Sequence, residues 1–375
     1  MILRQFGRAE LDLHRFIWVG LAFLVATCSG AGPSSIPALQ PLAQEIILYD
    51  WAEDIPQPVL DAFQTEHGVK VIYIPFEASQ EAAESIRAGA VYDVVVVENR
   101  LIPGLINAGL LAQITPSSVP NFKNISANFR DLVYDPGNQY SIPFNWGTTG
   151  LVVRSDLVEK EVRRWSDLWE VGRNVKIALW RGEPRDGLGM ALKSLGFSAN
   201  SERPEELDAA LRRLLDIRKQ VIFLDDYDVT SSGPVLANGE AVYAVGYALD
   251  VLEGQELNAS IEYVLPTEGA LMWGDNFAIP ANSPNKAAAE LFINFLLQAE
   301  VSAQIANYNR YATPNEAAFP LIEPEILHNP VIFPGREELN SAEIILPLSP
   351  EGERMYARAW ELFIAGDDAG GLREY

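Results

Sequence analysis

The sequence predicts an α/β protein of two lobes with a ligand cleft between them. Three observations predict it. The chain has 375 residues, too many for one ordinary hydrophobic core and suited to two. An alternation of strand-like and helix-like segments runs twice, with a glycine-containing strand-like stretch between the runs. Acids and tryptophans recur just beyond the strand-like segments, where open α/β sheets bind their ligands.

Hydrophobic residues make up 48% of the chain and charged residues 21%, a globular rather than a disordered balance. The formal net charge is −23, with acids spread along the chain. Such a field repels nucleic acid and anionic lipid and draws cations inward, although the same charge also serves solubility.

Residues 1–27 read as a leader rather than as fold. Arg4, Arg8 and Arg15 precede an apolar run, Phe16 to Ala26, far shorter than the ~20 residues of a membrane-spanning helix. The single cysteine, Cys28, follows Val25-Ala26-Thr27 and resembles the lipidated cysteine of a bacterial lipoprotein signal. Thr27, Glu10 and Asp12 depart from that pattern, and an ordinary cleaved signal is the alternative. One cysteine excludes a disulfide within the chain. Residues 28–44, rich in small residues and proline, form the expected tether.

The first alternation begins with Glu45 to Asp50, a short apolar strand. After Pro56 and Pro58, Val59, Leu60 and Phe63 give one face of a helix that stops at Gly68. Val69 to Ile74 is a second strand and Gln80 to Arg87 a helix. Asp93 to Val97 is a β-branched run, as expected for a strand covered on both faces. Residues 139–156 are strand-like on both sides of Gly147 and Gly150. The second alternation has strands at Val175 to Leu179 and Ala241 to Gly246, and helices at Leu188 to Leu195 and Pro204 to Lys219. Trp273 to Pro280 is again strand-like. Lys286 to Tyr308 gives one or two helices, and Glu351 to Ile364 the last one. The first lobe is expected at 45–146 with 276–318, and the second at 147–275. Crossings lie near 144–151 and 270–278, and 319–375 is a helical segment expected to pack mainly on the second lobe.

Much catalytic chemistry lacks its residues. Of three histidines, His14 lies in the leader, while His67 and His328 sit at a helix end and in a proline-rich loop. No Cys/His metal cluster is possible in the mature chain, and no nucleophile elbow, phosphate loop or dinucleotide fingerprint follows a strand. No cofactor is called for. A two-carboxylate hydrolase, for example with Glu53 and Asp275, stays open on residue types alone.

Beyond the first strand come Trp51, Glu53 and Asp54, and beyond the third come Glu98, Asn99 and Arg100. Beyond the first strand of the second lobe come Glu183, Arg185 and Asp186, and beyond its later strand Tyr247. Trp273 and Asp275 mark the second crossing. An ammonium group needs carboxylate partners and gains ~0.5–2 kcal/mol from an aromatic face. A diamine or triamine presents several such charges joined by methylenes, which aromatic walls suit.

The segments LYDWAEDIP (48–56), VKVIYIPFEAS (69–79), YDVVVVEN (92–99), YSIPFNWGTTGLVV (140–153), RWSDLW (164–169), MALKSLGFS (190–198), EGALMWGDNFAIPAN (268–282), AELFINFLL (289–297) and RYATPNEAA (310–318) resemble the spermidine/putrescine-binding proteins of polyamine ABC importers. They span nearly all of residues 45–365. The resemblance implies a two-lobed, type II periplasmic-binding-protein-like fold and an exported, monomeric receptor, not an enzyme. It would capture a polyamine and dock on a membrane permease without a cofactor or nucleic acid. It assigns ligand contacts to Trp51, Glu53, Glu183, Asp186, Tyr247, Trp273, Asp275 and Tyr311, with Asp54 and Glu98 in matching loops. Asp275 would hold an inner amine.

Asp54 stands where that family often has an aromatic, and Glu98, Asn99 and Arg100 replace small polar and aromatic groups. An arginine reaching the guest, from Arg100, Arg181 or Arg185, would suit a carboxylate instead, as in an amino acid or 4-aminobutyrate. Ferric-iron receptors are a further rival, with Tyr243, Tyr247 and Tyr311 as ligands. A sensor subunit reporting occupancy to a membrane kinase is another.

Overall fold

The computed structural model describes residues 42–76, 78–225 and 231–367. The leader, Cys28 and most of the tether lie outside them. Lobe 1 opens with β1 (Glu45–Trp51), α1 (Gln57–His67), β2 (Lys70–Phe76), α2 (Ser79–Arg87), β3 (Val94–Glu98) and α3 (Ile102–Asn107). The apolar runs dictate the layer: Val94 to Val97 are all buried, so β3 lies inside the sheet with helices on both faces. β1 pairs in parallel with β2 on one side and β3 on the other. Proline in its first turn starts α1, and Gly68 ends it in the left-handed conformation at φ 70°, which a Cβ would disfavour.

β4 (Ser141–Arg154) is one continuous strand of 14 buried residues that runs from lobe 1 into lobe 2. Lobe 2 contains β5 (Ile177–Trp180), α4 (Pro184–Ser194), α5 (Pro204–Ile217), β6 (Val221–Leu224), α6 (Ser232–Ala237), β7 (Tyr243–Gly246), α7 (Ala248–Leu257) and β8 (Ile261–Val264). The chain returns through β9 (Leu271–Ala278), antiparallel to β4 along nearly its whole length. The strand order is β2-β1-β3-β9-β4-β7-β5-β6, with β8 beside β4. β4 and β9 are therefore the two strands shared by both lobes. Their register slips between Pro143 and Asn145, where proline offers no amide to the ladder.

Two helices complete lobe 1, α8 (Lys286–Leu296) and α9 (Ala299–Asn309), divided at Gln298, whose ψ of 142° interrupts the helix. Then come α10 (Pro324–Leu327), α11 (Arg336–Ser341), β10 (Glu343–Ile344) and α12 (Pro350–Ala365). The described part of the segment expected to pack mainly on the second lobe, residues 319–367, divides its contacts. Ile322, Ile326 and Ile332 pack with Trp146, Ala303, Ala306 and Ala318, on α9, the segment after it and the crossing strand. Tyr356, Trp360 and Phe363 of α12 enter the lobe 2 core with Leu188, Leu192, Leu211 and Leu214. Apolar spacing shows that both stretches bury a face, but it does not say against which lobe.

Among the boundaries that differ from the sequence reading, two do so for clear local reasons. β5 begins at Ile177 rather than Val175, because the Val175 amide closes a turn onto the Gly172 carbonyl. α4 begins at Pro184 rather than Leu188, since proline suits a first turn that needs no amide donor. That shift puts Asp186 inside the first turn of the helix.

Candidate ligand-binding site

The strands deliver the polar residues to one place. Trp51 ends β1 and Glu98 ends β3, both at carboxyl ends facing the cleft. Asp275, 5% exposed in the middle of β9, lies opposite Glu98 across one ladder and opposite Asn145 across the other. From lobe 2, Glu183 precedes α4, Asp186 occupies its first turn, and Tyr247 precedes α7. Tyr311 follows α9.

Trp273 is the aromatic centre. Tyr247 meets its ring edge-on at 6.0 Å and Tyr311 at 5.5 Å, so one indole packs with two phenols. Its position depends on Gly147, the residue opposite it on β4, where any added methyl group would overlap the indole. The Tyr247 hydroxyl donates to Asp186 Oδ2 at 2.6 Å, and the Thr149 hydroxyl donates to Oδ1 at 3.2 Å. The Trp51 side chain hydrogen-bonds to Asp275. Asp54 accepts from Asn309 Nδ2 at 2.7 Å and from Asn145 Nδ2 at 3.1 Å.

These acids are short of counter-charge. Burial first, then the neighbouring charges of Glu98 and Asp54, push Asp275 well above the usual carboxylate range; the Trp51 bond and Arg100 oppose this. Burial raises Asp54 to about 6 against the hydrogen bonds from Asn309 and Asn145. Burial likewise raises Asp186 to about 6, with Tyr247 opposing and Glu98 reinforcing. A positively charged guest would reverse each shift.

Arg181 and Arg185 are committed elsewhere, and Arg100 is tied to the site acid Glu98. Arg100 pairs with Glu98 at 2.8 Å and donates to the Ser79 hydroxyl. Burial disfavours its charge, but Glu98, Glu183 and Glu353 more than restore it. Arg181 pairs with Asp225 and lies over Phe223. Arg185 is buried over Tyr356, donating to the Leu346 carbonyl and Asn200.

Of the ten expected contact residues, the structure brings Trp51, Asp54, Glu98, Asp186, Tyr247, Trp273, Asp275 and Tyr311 into one connected group. Glu183 is partly exposed at its edge, within reach of the Arg100 charge. Glu53 does not join it: the turn after β1 gives Glu53 a φ of 58° and leaves it exposed, while its neighbour Asp54 turns inward. Sequence reasoning missed Asp50, Tyr73, Asn145 and Asn309. Asp50 carried a usable signal, an acid closing an otherwise apolar strand directly before Trp51. The two asparagines carried none, since their partner Asp54 is distant in sequence.

The sequence profile of the bacterial extracellular solute-binding proteins matches residues 59–333. The spermidine/putrescine-binding periplasmic protein of Escherichia coli K12 is 32% identical over 301 residues, 80% of this chain and 85% of the relative. A putrescine/agmatine-binding protein of Pseudomonas aeruginosa is 30% identical over 332 residues, covering 84% and 90%. The crystal structure of a spermidine/putrescine ABC transporter substrate-binding protein from Streptococcus pneumoniae superposes with a TM-score of 0.76 at 28% identity, covering 86% and 99%. With the two-lobed fold and the cleft between its lobes, these matches make the chain a member of the bacterial extracellular solute-binding protein family.

Proposed function

We propose that the chain is the solute receptor of an ABC importer, taking a polyamine such as putrescine or spermidine between its lobes and handing it to a membrane permease. The observation that carries the reading is the excess of desolvated carboxyl groups, Asp54 and Asp275 buried and Asp186 half-buried, over cations, set around the Trp273 indole. Ammonium groups restore the charge balance, and the rings of Trp273, Tyr247 and Tyr311 suit the methylenes between them. The matched spermidine/putrescine-binding and putrescine/agmatine-binding relatives support the same ligand class.

A guest bearing a carboxylate is disfavoured, because Arg100, Arg181 and Arg185 already have acidic or backbone partners. Nothing favours the iron reading either, as Tyr247 is engaged with Asp186 and Tyr243 is buried in the lobe 2 core. The paired strands β4 and β9 are the natural hinge for closure on the guest. No bond in the guest is made or broken. Export, with anchoring through a lipidated Cys28, completes the reading; Cys28→Ser should move the protein from the membrane to the soluble fraction.

Isothermal titration calorimetry with putrescine, spermidine, 4-aminobutyrate and amino acids tests the ligand. Saturable one-to-one binding of a polyamine, with no heat from the others, is the expected result. Binding of an acid-bearing guest alone would overturn it.

A further inference from the structure

Asp50 is a buried acid that the reading above does not use. It is fully buried near the end of β1; its Oδ1 accepts from the Trp51 amide at 2.8 Å, and its Oδ2 has no hydrogen-bond partner while the nearby Tyr73 hydroxyl, which would otherwise favour its charge, is turned to the Trp51 carbonyl. Asp54, 4% exposed, is the neighbouring acid that acts on it most strongly. β2 contributes Tyr73, whose hydroxyl donates to the Trp51 carbonyl and accepts from the Asp54 amide at 3.3 Å. β9 contributes Asp275, and the segment after α9 contributes the Tyr311 phenol, which feels Asp54 and Asp275. β4 and α9 contribute the neutral side chains of Asn145 and Asn309. Glu98 and Arg100 act on Asp275.

Two carboxyl groups so placed cannot both stay ionised without a counter-charge. A second orphan lies beside them: Asn145 Oδ1 is also buried without a partner. Two buried acceptors that lack donors next to a pair of acids call for a small group that is both cationic and rich in N–H. We propose that Asp50 and Asp54 form a deeper ammonium subsite, which holds a shared proton in the ligand-free receptor and exchanges it for one primary ammonium group of the guest. The inference rests on the polyamine reading and adds the place of one guest charge, with a proton leaving for solvent as the guest enters. An ammonium group supplies three donors, enough for Asp50 Oδ2, Asn145 Oδ1 and a free lone pair of Asp54.

The test is calorimetry of the mature chain with putrescine and spermidine at pH 6 and pH 8, in buffers of different ionisation enthalpy, so that protons are counted. The near-isosteric variants Asp50→Asn and Asp54→Asn should each release about one proton fewer per guest at pH 6 and bind about tenfold or more weakly at pH 8. Variants that bind and release protons like the natural chain overturn the subsite and leave the polyamine reading standing. A natural chain that binds no polyamine removes both. Carboxyl-carbon NMR of the natural chain avoids any folding defect in the variants: ligand-free protein should show aspartates titrating near or above pH 6 that putrescine shifts downward. Their absence, or a shift produced by potassium or calcium instead of putrescine, counts against the proposal.

Discussion

The two walls of the cleft hold their acids differently. On the lobe 2 wall, Asp186 receives hydroxyl donors from Tyr247 and Thr149, and Asp250 receives the Tyr247 and Ser232 amides in a capping arrangement at the start of α7. On the lobe 1 wall, Asp50 keeps an oxygen without a donor, and Asp275 has Glu98 and Asp54 as charged neighbours. The lobe 2 acids are positioned in advance by protein donors; on the lobe 1 wall Asp54 is held by Asn309 and Asn145, while Asp50 and Asp275 depend more on what enters. The lobe 1 wall should therefore contribute most of the affinity and the lobe 2 wall most of the orientation.

The severest challenge to that contrast is Asp275→Asn. Removing one partner of a buried charge pair costs about 2–5 kcal/mol, so polyamine affinity measured by calorimetry should fall by at least ~30-fold. A smaller loss than that from Asp186→Asn would reverse the assignment of the walls.

Gly147→Ala and Gly187→Ala separate site from scaffold. The first pushes a methyl group into the Trp273 indole and should weaken binding about tenfold or more, with little change in melting temperature. The second presses on Trp360 in the lobe 2 core, so it should cost about 1–3 kcal/mol of stability and leave the site intact. Parallel melts and titrations distinguish them.

The shared charge deficit also predicts a pH dependence. Asp54 and Asp186, both raised to about 6, hold protons in the ligand-free fold that the unfolded chain has already released above about pH 4. Their contribution to stability is fully present in acid and is lost as pH rises from about 4 through 6. The depressed carboxyls Asp156, Asp167, Glu205, Glu290 and Glu343 are ionised throughout the range above pH 5 and drop out of the comparison. Ligand-free protein should thus melt higher at pH 5 than at pH 7.5, and saturating putrescine should raise the melting temperature more at pH 7.5. Equal stabilisation at both values would mean that these acids do not meet the guest.

Tyr247→Phe sharpens the view of the lobe 2 wall, since it removes one donor from Asp186 and leaves the ring against Trp273. A loss near 1 kcal/mol, about fivefold in affinity, is expected. The smallest effect belongs to Glu53→Gln. Family resemblance ranks Glu53 among the ligand contacts, but its exposed position in a left-handed turn predicts no measurable change. A tenfold loss would show that the turn after β1 closes over the guest.

The α/β alternation and the two-lobed fold were legible in the sequence, as were most of the residues that gather around Trp273 and Asp275, because each rests on a local pattern. Buried β-branched runs mark strands, prolines and Gly68 punctuate helices, and strand ends locate the loops that face a cleft. Trp273 and Asp275 could be read together because they share one strand.

What the sequence could not decide is which of two adjacent acids turns inward. Glu53 and Asp54 are equal candidates as residue types; the backbone turn and the amides of Asn145 and Asn309 select Asp54. The pairing of Asp50 with Asp54, and the withdrawal of Arg181 and Arg185 from the cleft, likewise depend on partners far along the chain. The sequence by itself determined which charges the protein carries and at which strand ends they stand. The tertiary structure decided which of those charges lose their water, because burial is a property of what packs around a residue rather than of the residue.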